Sequence, residues 1–335
     1  MTCYLNKVRE SPSAAKVSTF SQKNPTFTNT AVHGSGCDIR VTHASIGATD
    51  IMARRGDYLL HPFPGFVSGY DCVGVIERSD RHAAGYGLAV GDRVAAVLPN
   101  MGAHAERLRI PSSLLVKVPE SMPSELAATL PLDAVTARYA LDLLGKQPRR
   151  IFISGVSGAV GLLAAQLAAH EGVSVYGTAS AQSAAIAERY GVRTFDYRDE
   201  QWPELLVKEL GRLDGVIDHT GSRQVNGIVL EHGRIVRTAF GGKVGHQKAA
   251  TAAGLARTLA RRHCHPREIV CSAPLYVAMQ RNSYRHDLAL LLNRVAMGKL
   301  MPLTPEIFSF NSYDKALQGA EHVAPGKKIV LSMGE

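Results

Sequence analysis

The chain of 335 residues carries 38 Lys and Arg against 29 Asp and Glu, a formal net charge of +9, with 45% hydrophobic residues and mean hydropathy of −0.03. That length exceeds one small core and sets two domains as the expectation, while the hydropathy excludes a chain built of membrane spans and points to a soluble globular protein. A positive excess of this size fits an anionic partner, whether a phosphorylated cofactor, an acidic carrier or nucleic acid.

The five cysteines, Cys3, Cys37, Cys72, Cys264 and Cys271, are odd in number and scattered, which argues for a reducing compartment and against a disulfide framework. The opening MTCYLNKVRESPSAAK has no apolar signal-peptide core, so a cytoplasmic location is expected. Residues 1–40 read as short strands broken by turn residues, with Asp38–His43 a strand. Ala44–Tyr58 follows, then Gly69-Tyr70-Asp71-Cys72-Val73-Gly74, a turn between short strands over Leu88–Val97, and a strand over Arg107–Ile110. Many short strands punctuated by glycine predict a folded-over barrel rather than an open sheet.

The stretch Arg149–Ser180 reads differently. An apolar run, IFIS, enters Gly155-Val156-Ser157-Gly158-Ala159-Val160-Gly161 and then an Ala- and Leu-rich segment, the pattern of strand, tight turn and helix. Such a turn brings backbone amides to a pyrophosphate at a helix N-terminus, so Ser157, Gly158, Ala159 and Val160 are candidate dinucleotide contacts. The spacing is Gly-x-x-Gly-x-x-Gly rather than the commoner Gly-x-Gly-x-x-Gly. Ile151–Ala169 is uncharged and nearly long enough to span a bilayer, but three glycines, two serines and the strand at Val173–Thr178 argue for a βαβ unit instead. Strand and helix patterns alternate from 121 to 290, whereas the flanks are strand-rich.

At the end of the second strand an NAD enzyme places a carboxylate on the adenosine ribose. Here the sequence is Gly177-Thr178-Ala179-Ser180, so Thr178 and Ser180 become the contacts and NADP(H) is the expected cofactor. Lys243–Arg267 holds six Lys or Arg and no acid before Glu268; it is either a solvated helical face or a docking surface for a phosphate or an acidic carrier. Cys264 lies between His263 and His265, but a lone His-Cys-His lacks the paired spacing of a zinc site.

The order SGYDCVGVIE, VGDRVAA, GAHAERLRIP, LAATLPLDAVTARYAL, ISGVSGAVG, DYRDE and the closing GKKIVL resembles the medium-chain dehydrogenase/reductase superfamily, in its zinc-independent quinone oxidoreductase and enoyl reductase branch. The resemblance runs from about residue 40 to the end and is poor over 242–285. It implies an α/β fold in which a GroES-like β-rich barrel domain, residues 1–120 and 300–335, encloses a Rossmann domain, a doubly wound parallel sheet, at 121–299. It further implies NADP(H) contacts at Thr136, Tyr197, Thr220, Phe240 and Gly241, with a homodimer as the expected assembly. Related reductases carry a Lys near Ala184; Arg189 or Arg198 would replace it.

Zinc members place ligands where this chain has Gly47 and Tyr70, so no metal is expected. Without a Lewis acid, conjugate reduction is the less demanding chemistry, since charge spreads into an enolate that hydrogen-bond donors can hold. By resemblance to enoyl thioester reductases, Tyr58 of Arg54-Arg55-Gly56-Asp57-Tyr58 is the candidate proton donor, with Gly47, Asp50 and Tyr70 lining the substrate cleft. The expected activity is NADPH-dependent reduction of an activated carbon-carbon double bond in a small enone, an enoyl or polyketide-type substrate, or a CoA ester. Quinone reduction is the alternative enzyme reading, and a zeta-crystallin-like NADPH- or RNA-binding protein the alternative of another class. No aromatic-interleaved basic stripe supports the last.

Overall fold

The computed structural model describes residues 4–6, 18–19, 36–61, 65–145 and 148–334. Most of the expected strands before Asp38 lie outside these residues. The chain divides into two compact units, unit 1 comprising Met1–Val135 with Ala273–Glu335 and unit 2 comprising Thr136–Ser272.

In unit 1, β1 (Tyr4–Asn6) pairs antiparallel with β2 (Ser18–Thr19). The organising strand is β3 (Cys37–Ser45), in which Cys37, Ile39, Val41 and Ala44 are buried. After α1 (Ala48–Arg54) and β4 (Phe66–Val67, paired with β1) comes β5 (Asp71–Arg78), antiparallel to β3. A Cβ at Gly74 would fall 2.5 Å from Arg40 O, so only glycine lets β5 cross β3 where the register shifts. β6 (Arg93–Val97) pairs with β5, β7 (Arg107–Ile110) with β3, and β8 (Val116–Lys117) with β6. The expected strand at Arg107–Ile110 is therefore present, while only the second half of Leu88–Val97 is extended. Two helices follow, α2 (Ser124–Ala127) and α3 (Pro131–Leu144). Proline fits the first turn of α3, where its missing N–H has no helical partner, and Asp133 suits the positive end of the helix dipole.

Unit 2 holds β9 (Arg150–Ile153), α4 (Ala159–His170), β10 (Ser174–Ala179), α5 (Ala184–Glu188) and β11 (Arg193–Asp196). These are followed by α6 (Trp202–Leu210), β12 (Leu213–Asp218), β13 (Val229–Arg237), α7 (Gln247–Ala260) and β14 (Arg267–Val270). The strand order is β11-β10-β9-β12-β13-β14, all parallel, the doubly wound arrangement expected from the alternating pattern. Runs such as RIFI and GVID are buried on both faces because helices cover both. One face packs Phe152 against Trp202, rings 4.8 Å apart and 3° from parallel, with Leu206, Val216 and Ile235 around them. Each such side chain contributes about 1.5–3 kcal/mol by leaving water.

The chain returns to unit 1 through α8 (Ala273–Met279), α9 (Arg281–Ala296), β15 (Thr304–Ser309), α10 (Tyr313–Glu321) and β16 (Lys327–Ser332), which pairs with β3. The resemblance implied this return at residue 300, whereas α8 and α9 fall within unit 1. The reason is Tyr284, wholly buried, whose hydroxyl accepts from Val97 N and donates to Leu114 O, both at 2.9 Å.

Unit 2 buries one guanidinium, that of Arg237 at 1% exposure. It donates to Asp218 (2.5 Å) and Glu268 (3.2 Å), also buried, and to Ser222 O and Asn226 Oδ1. Replacing Arg237 with Met leaves the buried Asp218 without its cation and Glu268 with Arg261 alone, and is expected to cost about 3–5 kcal/mol. Urea unfolding followed by fluorescence of Trp202, the chain's single tryptophan, measures it.

Candidate functional site

The glycine turn of unit 2 explains its own spacing. Gly155 takes φ +65°, a left-handed conformation that costs glycine nothing. Gly158 is the N-cap of α4, accepting from Leu162 N at 2.8 Å. A Cβ on Gly161 would lie 2.6 Å from Gly155 O and 2.8 Å from Val156 Cα, so the third glycine permits the helix to press on the turn. The three roles in Gly-x-x-Gly-x-x-Gly are thus a turn, a cap and a close approach. The first amides of α4, at Ala159 and Val160, have no acceptor within a helix and form the positive end of its dipole.

Thr178 and Ser180 stand at the end of β10 as expected, but their hydroxyls do different things. Thr178 is 4% exposed; its Oγ1 accepts from Gly155 N (3.1 Å) and its carbonyl from Val156 N (2.9 Å), so it braces the turn from behind. Ser180 Oγ and Ser157 Oγ both lie 2.9 Å from Ser183 Oγ, forming a three-hydroxyl cluster beyond the strand. Ser183 was missing from the sequence reading, since its neighbour in this cluster, Ser157, is 26 residues away. Tyr197 is 54% exposed and carries the Arg198 guanidinium over its ring at 5.5 Å.

Thr220 Oγ1 donates to Asp218 Oδ1 (2.7 Å), and Thr220 O accepts from Gly241 N (2.6 Å). The loops after β12 and β13 therefore meet, and a Cβ at Gly241 would lie 2.5 Å from Thr220 O. Phe240 packs on α7 at Gly254. Asp218 Oδ1 also accepts from Ser154 Oγ (2.7 Å), the residue before the glycine turn. Ser154, Thr220 and Gly241 thus form one bonded group; Thr136 is half-buried on α3 and joins it through none of these bonds.

In unit 1, Asp50 is 3% exposed and spends both carboxylate oxygens on backbone: Oδ2 accepts from Gly47 N and Oδ1 from Gly69 N, each at 2.8 Å. It joins the two loops on which Gly47 and Tyr70 sit. Gly69, at φ +91°, has His104 Cδ2 only 2.4 Å from where a Cβ would be. Tyr70 follows it, 2% exposed, with its hydroxyl 2.7 Å from that of half-buried Tyr58 and the rings edge to face. His61, absent from the sequence reading, stacks between Tyr58 (6.1 Å) and Phe66 (4.5 Å).

Burial pushes the Tyr58 phenol up to about 12, against the hydrogen bond from Tyr70 and with help from the Asp50 charge. Tyr70 is pushed higher still by burial and by its partner phenol. Burial draws the His61 imidazolium down, favouring the neutral ring. The pair is therefore protonated at neutral pH, a two-hydroxyl donor chain with Tyr58 at its outer end.

Behind it, Asp71 accepts from Ser45 Oγ (2.7 Å) and Leu132 N (3.1 Å), while the buried Lys328 ammonium pairs with Asp133. Burial raises Asp71 to about 6, although Lys328 pulls the other way. Burial works against the Lys328 charge too, and Asp133 and Asp71 overcome it.

Residues 35–120 match the alcohol dehydrogenase GroES-like domain. The chain is 33% identical over 188 residues to the synaptic vesicle membrane protein VAT-1 homolog of Danio rerio, covering 55% of this chain and 38% of that protein. It is 31% identical over 184 residues to the trans-enoyl reductase traG of Penicillium crustosum, covering 48% and 50%. The matched segments thus span half or less of these relatives. Among solved structures, the fold is similar to the quinone oxidoreductase of Thermus thermophilus (TM-score 0.75, 24% identity, 99% and 100% of the two chains). It is also similar to the quinone oxidoreductase of Escherichia coli (0.78, 19%, 99% and 100%). A GroES-like unit joined to a doubly wound dinucleotide-type sheet defines a class of two-domain oxidoreductase folds. Residues 35–120 therefore carry an alcohol dehydrogenase GroES-like domain, and the chain as a whole shares the fold of these quinone oxidoreductases.

A linkage prediction follows from Asp71. Its native pKa, about 6, lies above the ordinary 3.8, so between those values the native state holds more protons than the unfolded state. Stability contributed at this site falls as pH rises through that window and levels off above it. The stability difference between the native sequence and Asp71→Asn should therefore shift in favour of the variant from pH 4 to pH 6. Denaturant midpoints for both proteins across that range measure it; a flat difference would refute the assignment.

Proposed function

We propose that the protein is an NADPH-dependent reductase of activated carbon-carbon double bonds, acting on an enone or enoyl substrate. The observation that carries the reading is the Tyr58–Tyr70 pair, two phenols 2.7 Å apart and held protonated, at the loops that zinc relatives use for metal ligands by the resemblance above. Supporting it, the glycine turn, the first amides of α4 and the loop junction at Thr220 and Gly241 fit a dinucleotide, and Gly161 and Gly241 allow the close backbone approaches that shape the turn and the junction.

The residues proposed to hold the cofactor are Ser157, Gly158, Ala159 and Val160 for the pyrophosphate. Ser180 would take the 2′-phosphate with Ser157 and Ser183, the hydroxyl cluster donating where an NAD enzyme would place an acid. When bound, reduced nicotinamide supplies hydride to the β-carbon of the substrate. Tyr58 then gives its phenolic proton to the α-carbon, and Tyr70, hydrogen-bonded behind it, stabilises the resulting phenolate until solvent restores the proton. Asp50 holds this geometry by fixing Gly47 and Gly69, and its negative charge keeps the phenols protonated.

Two outcomes test this. Tyr58→Phe should lower kcat for enone reduction about a hundredfold or more while leaving NADPH binding unchanged, with Tyr70→Phe intermediate. Because Tyr58 titrates at about 12, activity should show no alkaline loss from this group below that region. Stopped-flow NADPH absorbance with an enone panel, and product mass, decide the matter: a saturated carbonyl supports the reading, whereas a hydroquinone from a quinone substrate alone would replace it. For the cofactor, Ser180→Asp should weaken NADPH relative to NADH about tenfold or more, since a carboxylate would face the 2′-phosphate. Fluorescence titration with both coenzymes measures the ratio.

A further inference from the structure

Unit 2 contains a cavity of about 350 Å³ lined by Arg223, Asn226, Arg237, Arg257, Arg261 and Glu268. That volume lies within the roughly 300–1,000 Å³ range of small-molecule sites. The walls come from β13, β14, α7 and the short turn of helix at Gln224–Asn226. Arg237 bonds to Asp218 and Glu268, and Arg261 Nε lies 2.7 Å from Glu268 Oε1. The second Glu268 oxygen goes to Arg237 Nε, and Asn226 Nδ2 donates to Glu268 Oε1 at 3.2 Å. Two cations therefore answer two buried anions, and the wall carboxylate is neutralised.

Arg223 and Arg257 remain, and among the described residues no carboxylate pairs with either. Arg223 is exposed and Arg257 half-buried. Two planar guanidinium forks with no counter-charge, beside a buried and already balanced Arg237, match a dianion with several acceptor oxygens. We propose that this cavity binds the phosphate group of a small organic phosphate monoester. The site is separate from the hydroxyl cluster at the end of β10, and the inference does not rest on the reductase reading. Its size exceeds a bare phosphate, which favours an organic ester over the free ion. The cavity takes up part of the basic stretch Lys243–Arg267: Arg257 and Arg261 both line it, the second paired with Glu268.

The test uses glycerol 3-phosphate and inorganic phosphate as probes, titrated calorimetrically into the full chain at constant ionic strength. Saturable binding at one equivalent is expected, tighter for glycerol 3-phosphate. Arg223→Ala and Arg257→Ala should each weaken it about tenfold or more, since each removes a charge-assisted fork. Arg257→Lys should retain part of the affinity. Neither arginine takes part in the buried ion network, so both Ala variants should keep the native thermal midpoint. Ser157→Ala, in the glycine turn, should bind as the native sequence does. No saturable binding, native affinity retained in the Arg223→Ala or Arg257→Ala protein, loss in Ser157→Ala, or tighter binding of inorganic phosphate would each overturn the proposal.

Discussion

Asp218 is fully buried, and unit 2 is arranged around its charge. The parallel order places β9 beside β12, β13 next and β14 at the edge, so the carboxyl ends of four strands converge on one region. Ser154 arrives from β9, Arg237 from β13 and Glu268 from β14. A carboxylate without water there is tolerable only with a paired cation and satisfied lone pairs, and Asp218 has both. Its position ties the residue before the glycine turn to the loop bearing Thr220, and through Thr220 O to Gly241. The loops that a nucleotide would touch are thus held by the same carboxylate that the core must neutralise.

Unit 1 handles its buried carboxylate differently. Asp50 has no hydrogen-bonded cation in the geometry described; two backbone amides satisfy it. An anion hydrogen-bonded to backbone amides keeps a negative field around it; the Lys328 ammonium is stabilised in part by that field, and Tyr58, Tyr70 and Tyr313 are all raised in part by it. One residue thereby supplies geometry, through Gly47 and Gly69, and electrostatics, through the protonated phenols. Deeper in the unit, Asp71 and Asp133 share the Lys328 ammonium, so Asp71 feels attraction and repulsion together, with burial dominant.

Legibility in the sequence followed the range of the constraint. The glycine turn could be read because turn, cap and close approach act within seven residues and each demands glycine. β7 and β10 were legible from local patterning alone. Asp50 was read from the sequence as a cleft residue with Gly47 and Tyr70, but its work as a brace between two loops depends on Gly69, 19 residues on. Thr178 sat at the expected strand end, yet the choice between facing a ligand and facing the turn is made by a hydrogen bond across 23 residues. Ser183, His61 and the Arg237 network had no local signature at all. Their partners are set by strand order, and single arginines in a basic chain do not announce which of them will be buried.

Charge shows the same limit from the other side. The run Lys243–Arg267 looks uniform in sequence, and its surplus reads equally well as a solvated face or a docking surface. Folding divides it. Arg261 is drawn to Glu268, Arg262 lies exposed with its Nε on His263 at 2.9 Å, and Lys243 and Arg267 are exposed. Arg257 faces the cavity beside Arg223, a residue from outside the run. A count of charges along the chain therefore overstates the surface and understates the cavity. What matters for binding is the number of cations left without a counter-charge where an anion could also shed water, and that number is fixed by where the buried carboxylates lie.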